Sequence, residues 1–298
     1  MKAIYEFPVA MNLHCKAIDH EVLKWAWNSG LFESPAELER CRIQKINWFA
    51  GYLFPEEKKE RLTLIMKFFL GLFLLDDLLD IAIERQMIEF LEGIKVGISQ
   101  HPNQRLSNLG TELILLQKAL KEENSLPLTR DQWSLAWLEY LEALQWEVLL
   151  KIEKKRPLLE EYRIHRPKTS GVYLALLLIR RGKDVRACVS ELLEFSMARY
   201  IYLANDLASF KKEKEIGDPH NEIIILMDSM GDTALPWVQQ ELKQLRKRIL
   251  LLTEKICINF GNCEAWIRRL LLLAGGCETW TAETSRYQNY INGKYGGH

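Results

Sequence analysis

A chain of 298 residues is long enough to enclose an interior cavity within a large core. With 48% hydrophobic and 27% charged residues it is too apolar for a disordered chain and too charged for a membrane bundle. Its 40 basic residues balance its 40 acidic ones, which excludes a global field drawing it to nucleic acid or an anionic membrane, so any anion binding must be local.

The opening segment, Met1-Lys2-Ala3-Ile4-Tyr5-Glu6-Phe7-Pro8, lacks the apolar run and small-residue cleavage site of a secretory signal. Ser34-Pro35-Ala36-Glu37 then supplies an N-cap, a proline at the first helical position and a glutamate that reaches back, predicting a helix through about Phe49. Pro55 opens the next helix, which runs to about Ile83; it is charged in its first turns and almost wholly apolar before Asp76, so its far half must be surrounded by protein. Thr129 with Gln132 forms a second capping box, for a helix ending near Pro157. Another long helix is predicted from Lys183 to about Glu215, broken by Gly217-Asp218-Pro219. The last helices are predicted over Asp232 to Asn259, Asn262 to Leu273 and Cys277 to Tyr290. β-Branched alternating runs are almost absent, and there is no internal repeat or low-complexity linker. An all-α fold follows, organised as a single domain over residues 1–298: an antiparallel helical bundle with any cofactor site between facing helices.

Phe68 to Leu75 and Gly171 to Ile179 are the most apolar stretches, and both are far shorter than the ~20 residues that span a bilayer. Cys15, Cys41, Cys188, Cys257, Cys263 and Cys277 form no Cys-x-x-Cys pair and have no histidine at zinc spacing, which fits reduced, mostly buried thiols and a cytoplasmic location. The histidines never cluster and no Gly-x-x-x-x-Gly-Lys loop occurs, so a histidine metal site, a Ser-His-Asp hydrolase and a phosphate-binding loop lack support.

The chemistry concentrates in two acidic segments. In Asp76-Asp77-Leu78-Leu79-Asp80, Asp76 and Asp80 share a helical face one turn apart, and Asp77 points to the adjacent face. Three acids following a Phe/Leu run repel one another unless a cation or basic groups neutralise them, and hard oxygen ligands without His or Cys indicate magnesium. Phe69 and Phe73 share the helical face of Asp76, which makes them candidates to line an apolar pocket. In Asn205-Asp206-Leu207-Ala208-Ser209-Phe210-Lys211-Lys212-Glu213, the residues Asn205, Ser209 and Glu213 fall within an arc of about 80°, a stripe of amide, hydroxyl and carboxylate oxygens. Lys212 lies about 20° to the other side of Asn205, within reach of an anion held by such a metal.

These segments resemble the class I terpene synthases, or terpene cyclases. The family's aspartate-rich motif, Asp-Asp-x-x-Asp, and its second metal motif, Asn-Asp-Leu-x-Ser-x-x-x-Glu, are both matched here in the right order. Arg286-Tyr287 looks like the pair that closes on the diphosphate in bacterial members, so the likeness extends from Phe7-Pro8 through Tyr287. The resemblance implies the isoprenoid synthase fold around a central apolar cavity. It also implies three magnesium ions held by Asp76, Asp80, Asn205, Ser209 and Glu213, with Asp77 and Asp206 as the remaining motif acids; Asp77 would orient a basic partner. The implied reaction ionises a linear isoprenoid diphosphate, farnesyl diphosphate first and geranylgeranyl diphosphate next, and cyclises the carbocation to a hydrocarbon or alcohol. Arg166 is similar to the family's pyrophosphate-sensing arginine, which a helix break follows, with Arg163 as a competitor; Ser170, Gly171, Tyr173, Tyr202 and Trp280 join Phe69 and Phe73 as pocket candidates. The family admits a homodimer. The rival readings are a chain-elongating prenyltransferase or squalene/phytoene-type synthase, which pair two aspartate-rich segments, and a non-catalytic helical scaffold.

Overall fold

The computed structural model describes residues 6–81, 85–123, 127–180, 187–260 and 263–287. Their regular structure is entirely helical, as the periodicity predicts. The chain forms two compact units, one of residues 11–155 and the other of residues 1–10 with 156–298.

The first unit contains α1 (Cys15–Asn28), α2 (Pro35–Ile43), α3 (Trp48–Leu53), α4 (Lys59–Ile81), α5 (Arg85–Lys95), α6 (Gln104–Glu122) and α7 (Pro127–Glu153), with α1, α3 and α6 packed against α4. Phe68 packs against Trp133 and Trp137 of α7, with ring centroids 5.7 and 5.9 Å apart. Phe68, Leu70 and Trp133 are fully buried, and each such large side chain contributes about 1.5–3 kcal/mol by leaving water. Gly71 lets α4 approach α6 closely, because a Cβ there would lie 2.9 Å from Leu113. The Ser34 cap forms as predicted: its hydroxyl accepts from the Glu37 N–H at 3.2 Å, and the Glu37 carboxylate reaches back to the Glu33 N–H at 2.8 Å.

Four boundaries here differ from expectation. The helix from Pro35 stops at Ile43 rather than Phe49, because Lys45 turns the backbone to φ 51° before α3 begins. The helix expected from Pro55 starts at Lys59; the preceding turn is tied by buried Asn12, whose amide donates to the Phe54 and Glu57 carbonyls at 2.9 and 2.8 Å. Thr129 is no cap, since α7 already begins at Pro127, a residue suited to the first turn because it has no N–H to leave unpaired. That helix ends at Glu153, and Lys154 follows with φ 51°.

The second unit contains α8 (Leu159–Thr169), α9 (Val172–Ile179), α10 (Ala187–Ile216), α11 (Glu222–Met230), a short 3₁₀ turn (Gly231–Thr233), α12 (Ala234–Asn259) and α13 (Glu264–Glu283). α9 is buried at every position except half-buried Tyr173, as a helix apolar on all faces must be. Gly171, at φ 67°, takes the left-handed conformation that separates α8 from α9. The expected start of α10 at Lys183 lies outside the described residues; its end follows prediction at Gly217, φ 74°. α12 begins at Ala234 after the 3₁₀ turn rather than at Asp232.

The two helices expected on either side of Gly275-Gly276 are one continuous helix, α13. Gly275 serves close packing instead of chain reversal: a Cβ there would overlap the Pro8 carbonyl oxygen. The N-terminal segment is thereby held in the second unit, where Phe7 packs edge-on against Tyr200 at 5.2 Å and beneath the Arg246 guanidinium at 5.4 Å. Among the described residues, no helix is long and apolar enough to cross a membrane.

Candidate functional site

In the first unit, the acidic pentapeptide occupies the last turns of α4. The approach is buried as expected, with Phe69 4% and Leu75 0% exposed, but Asp76 and Asp80 are exposed and Asp77 half-buried. The carboxylates thus keep much of their hydration while the same helix places its apolar side chains in the core. The Lys151 ammonium of α7 bridges Asp80 at 2.6 Å and Glu147 at 3.0 Å. Tyr140 is pushed well above its ordinary pKa, first by burial and then by the Asp76 charge. Phe69 and Phe73 both meet Phe49 edge-on, at 5.5 and 5.3 Å, and Phe69 also meets Phe54 at 5.9 Å. The aromatic cluster therefore borders the acidic end of α4 from within this unit.

In the second unit, the segment beginning at Asn205 lies in the second half of α10. Asp206 is fully buried and accepts three hydrogen bonds, from the Tyr162 hydroxyl at 2.7 Å, Arg166 Nε at 2.9 Å and the Glu222 backbone N–H at 3.1 Å. Its pKa still lies above the ordinary carboxylate value because burial outweighs the Arg166 charge and the Tyr162 hydrogen bond. Arg166 also donates through Nη2 to Asn205 Oδ1 at 2.8 Å, so one guanidinium fixes both residues. The Asn205 amide donates to the Tyr287 hydroxyl at 3.2 Å, and buried Tyr287 meets Trp280 edge-on at 6.3 Å. Segments 39 and 82 residues from Asn205 along the chain therefore converge on its carboxamide. The backbone N–H of half-buried Arg286 is held by Thr284 Oγ1 at 3.2 Å.

One turn along α10, the Ser209 hydroxyl donates to the Asn205 carbonyl at 3.0 Å and accepts a long bond from the Asn221 amide at 3.5 Å, which leaves one oxygen lone pair available. Glu213, a turn further, is pushed up to about 8 by burial and then by the Asp206 charge. Lys212 is half-buried beside it. No group of three His, Cys, Asp or Glu side chains suited to a metal occurs among the described residues, so the stripe depends on an amide and a hydroxyl as well as a carboxylate. These are hard oxygen donors, and the crowding of Glu213 by Asp206 is what a divalent cation would relieve. The donor set fits magnesium.

The structure separates the two arginines that the sequence left in competition. Arg163 pairs with the buried Glu222 carboxylate at 2.6 Å and lies over the Trp237 ring at 5.8 Å, whereas Arg166 is the one on Asn205 and Asp206. Ser170 donates to the Pro167 carbonyl at 3.0 Å and, with Gly171, forms the helix break after Arg166. Tyr202 stands apart from the other pocket candidates. It is buried beneath the Arg199 guanidinium at 5.0 Å, with its hydroxyl bonded to Arg199, in a cluster that also contains Glu222 and Glu241. Burial works against the Arg199 charge, but Glu222, Tyr202 and Glu241 together outweigh it and hold the Arg199 pKa above normal.

Sequence reasoning missed Tyr162, Asn221 and Glu222, which hold Asp206 and Glu213 in place. One signal was available: Asn221-Glu222 follows the Gly217-Asp218-Pro219 break as an N-cap followed by an acidic first turn.

The profile of the family described as "Terpene synthase family 2, C-terminal metal binding" matches residues 67–248. A (3S,6E)-nerolidol synthase of Selaginella moellendorffii is 26% identical over 305 aligned residues, covering 96% of this chain and 82% of that protein. A 4-epi-cubebol synthase of Streptosporangium roseum, named as cyclising (2E,6E)-farnesyl diphosphate, is 21% identical, covering 94% and 90% of the respective chains. In three dimensions the chain is similar to a single-substitution variant of cucumene synthase, with a TM-score of 0.77 at 22% identity over 95% of this chain and 99% of that one. This likeness shows a shared all-α fold.

Proposed function

The chain belongs to terpene synthase family 2, and from that premise we propose that it is a magnesium-dependent sesquiterpene cyclase that ionises farnesyl diphosphate and cyclises the resulting cation. The convergence of Arg166 and Tyr287 on Asn205, at the head of the Asn205, Ser209 and Glu213 stripe, carries this reading. The choice of a C15 substrate draws support from the relative named for cyclising farnesyl diphosphate. On this reading the chain works as one catalytic domain over residues 1–298.

Asp76 and Asp80 of the first unit, and Asn205, Ser209 and Glu213 of the second, are the proposed metal ligands, for three ions in all, and bound magnesium would supply positive charge to the departing diphosphate. The chain's own contribution is orientation and exclusion of water. Arg166 keeps the Asn205 carboxamide and the Asp206 carboxylate in fixed positions, so Asn205 offers its oxygen without reorganising. Tyr287 holds the other end of that carboxamide and brings Arg286, with its permanent positive charge, into the same region of the chain. Lys212 adds a second cation on the adjacent face of α10. Buried Trp280, next to Tyr287, presents a π-face and no nucleophile, as a carbocation requires. Phe69 and Phe73 do the same beside Asp76.

The test is to incubate the purified chain with magnesium and, separately, C10, C15 and C20 prenyl diphosphates, each with and without isopentenyl diphosphate as the C5 donor, followed by gas chromatography with mass detection. A cyclic C15 hydrocarbon or alcohol is expected. A longer prenyl diphosphate would assign chain elongation instead, and no turnover of any substrate would favour a scaffold.

A further inference from the structure

Glu213 has the longest side chain of the ligand candidates in the stripe. Its carboxylate stands on three rotatable bonds, and the stripe itself does nothing to hold it. What holds it is Asn221, which lies outside both metal motifs. Asn221 is fully buried and caps α11, with Oδ1 accepting the Ile223 N–H at 2.9 Å. This bond fixes the orientation of the amide, because exchanging its oxygen and nitrogen would set two donors face to face. Nδ2 must then point at α10, where it donates to the Asp206 carbonyl at 2.6 Å and to Glu213 Oε2 at 2.7 Å. Ser209 Oγ is 3.5 Å from the same nitrogen. Both amide hydrogens are therefore committed to the helix that carries the stripe.

We propose that Asn221 is a positioning residue for the metal site: it clamps Glu213 by one oxygen, leaving the other directed at the ion, and ties the cap of α11 to the backbone of the metal-binding turn. The proposal rests on the reading of Asn205, Ser209 and Glu213 as magnesium ligands. A plain helix cap would need only Oδ1. A residue that orients a ligand needs the amide hydrogens as well, and removing such a partner weakens metal affinity by about 10–100-fold.

The two roles separate in Asn221→Ser and Asn221→Thr, which retain a capping oxygen but cannot reach Glu213 with a donor. Binding of Mn2+ to the full chain with inorganic pyrophosphate is read from the free-ion electron paramagnetic resonance signal, with circular dichroism melting as the folding check. Wild type, Glu213→Gln, each Asn221 variant and the Asn221→Ser/Glu213→Gln double variant are compared. The expected result is roughly tenfold or greater weakening in folded Asn221→Ser or Asn221→Thr, with no further loss when Asn221→Ser is added to Glu213→Gln. If Glu213→Gln weakens binding but the folded Asn221 variants bind as wild type, or if the two losses simply add, the positioning role is overturned and the metal assignment stands. If Glu213→Gln binds as wild type, the metal assignment fails and the positioning role fails with it.

Discussion

Replacing Arg166 with alanine leaves Asp206 fully buried with its charge uncompensated, since the side-chain exposures of the pair are 16% and 0%. Only the Tyr162 hydroxyl and the Glu222 N–H would remain on the carboxylate. Breaking one side of a buried ion pair costs about 3–5 kcal/mol, which for a chain of this size lowers Tm by on the order of 10 °C. Asp206 already binds its proton more tightly when folded than unfolded, because its folded pKa is raised, and losing Arg166 raises it further. The penalty is therefore full above the variant's folded pKa and shrinks as pH falls through it, so the Tm deficit should diminish as pH is lowered from neutral through the titration of Asp206. In the double variant Arg166→Ala/Asp206→Asn the buried charge is gone, and about 2 kcal/mol or more of the loss should return as coupling. Thermal melts by circular dichroism across pH provide the assay. Strictly additive single-variant losses, or a deficit that grows as pH falls, would refute the electrostatic origin of the effect.

Asp76→Ala and Asn205→Ala should each reduce diphosphate release by roughly 100-fold or more, given that metal charge contributes several kcal/mol to leaving-group departure. Exposed Asp76 should tolerate the change within about 0.5 kcal/mol of stability, and wild-type turnover in either variant would remove that residue from the metal site. Because the Glu213 carboxyl is pushed up to about 8, metal binding at neutral pH must displace its proton. Magnesium affinity should then rise with pH up to that value and calorimetry should detect proton release, whereas binding independent of pH would contradict the assignment. Gly275→Ala drives a methyl into the Pro8 carbonyl; it should destabilise the fold by about 1–3 kcal/mol and expose the N-terminal segment to limited proteolysis, and an unchanged cleavage pattern would argue against that packing.

The parts of the fold that the sequence made legible are those set by local periodicity. Asn205, Ser209 and Glu213 share a face because helical geometry requires it, and the apolar approach to Asp76 is buried because it cannot be solvated. What surrounds Asp206 was illegible, since Tyr162, Arg166 and Glu222 come from separate segments that meet only after packing. The choice between Arg163 and Arg166 depended on which carboxylate each reaches, a question of tertiary geometry. Glycine was misread at Gly275-Gly276, where the Pro8 backbone uses the missing side chain and the helix continues. Lys45 and Lys154 end helices at positive φ with no glycine to announce it. The exposure of Asp76 and Asp80 was also hidden, because an apolar run shows where a helix is buried but not where its last polar turn emerges.

The most direct test of magnesium-dependent ionisation follows the purified chain with farnesyl diphosphate, measuring released inorganic diphosphate and extracted C15 product in the same reaction. Equal amounts of the two are expected with magnesium, and neither after chelation. Undiminished release and product formation in excess chelator would contradict magnesium dependence, and diphosphate release without any C15 terpene would contradict cyclisation.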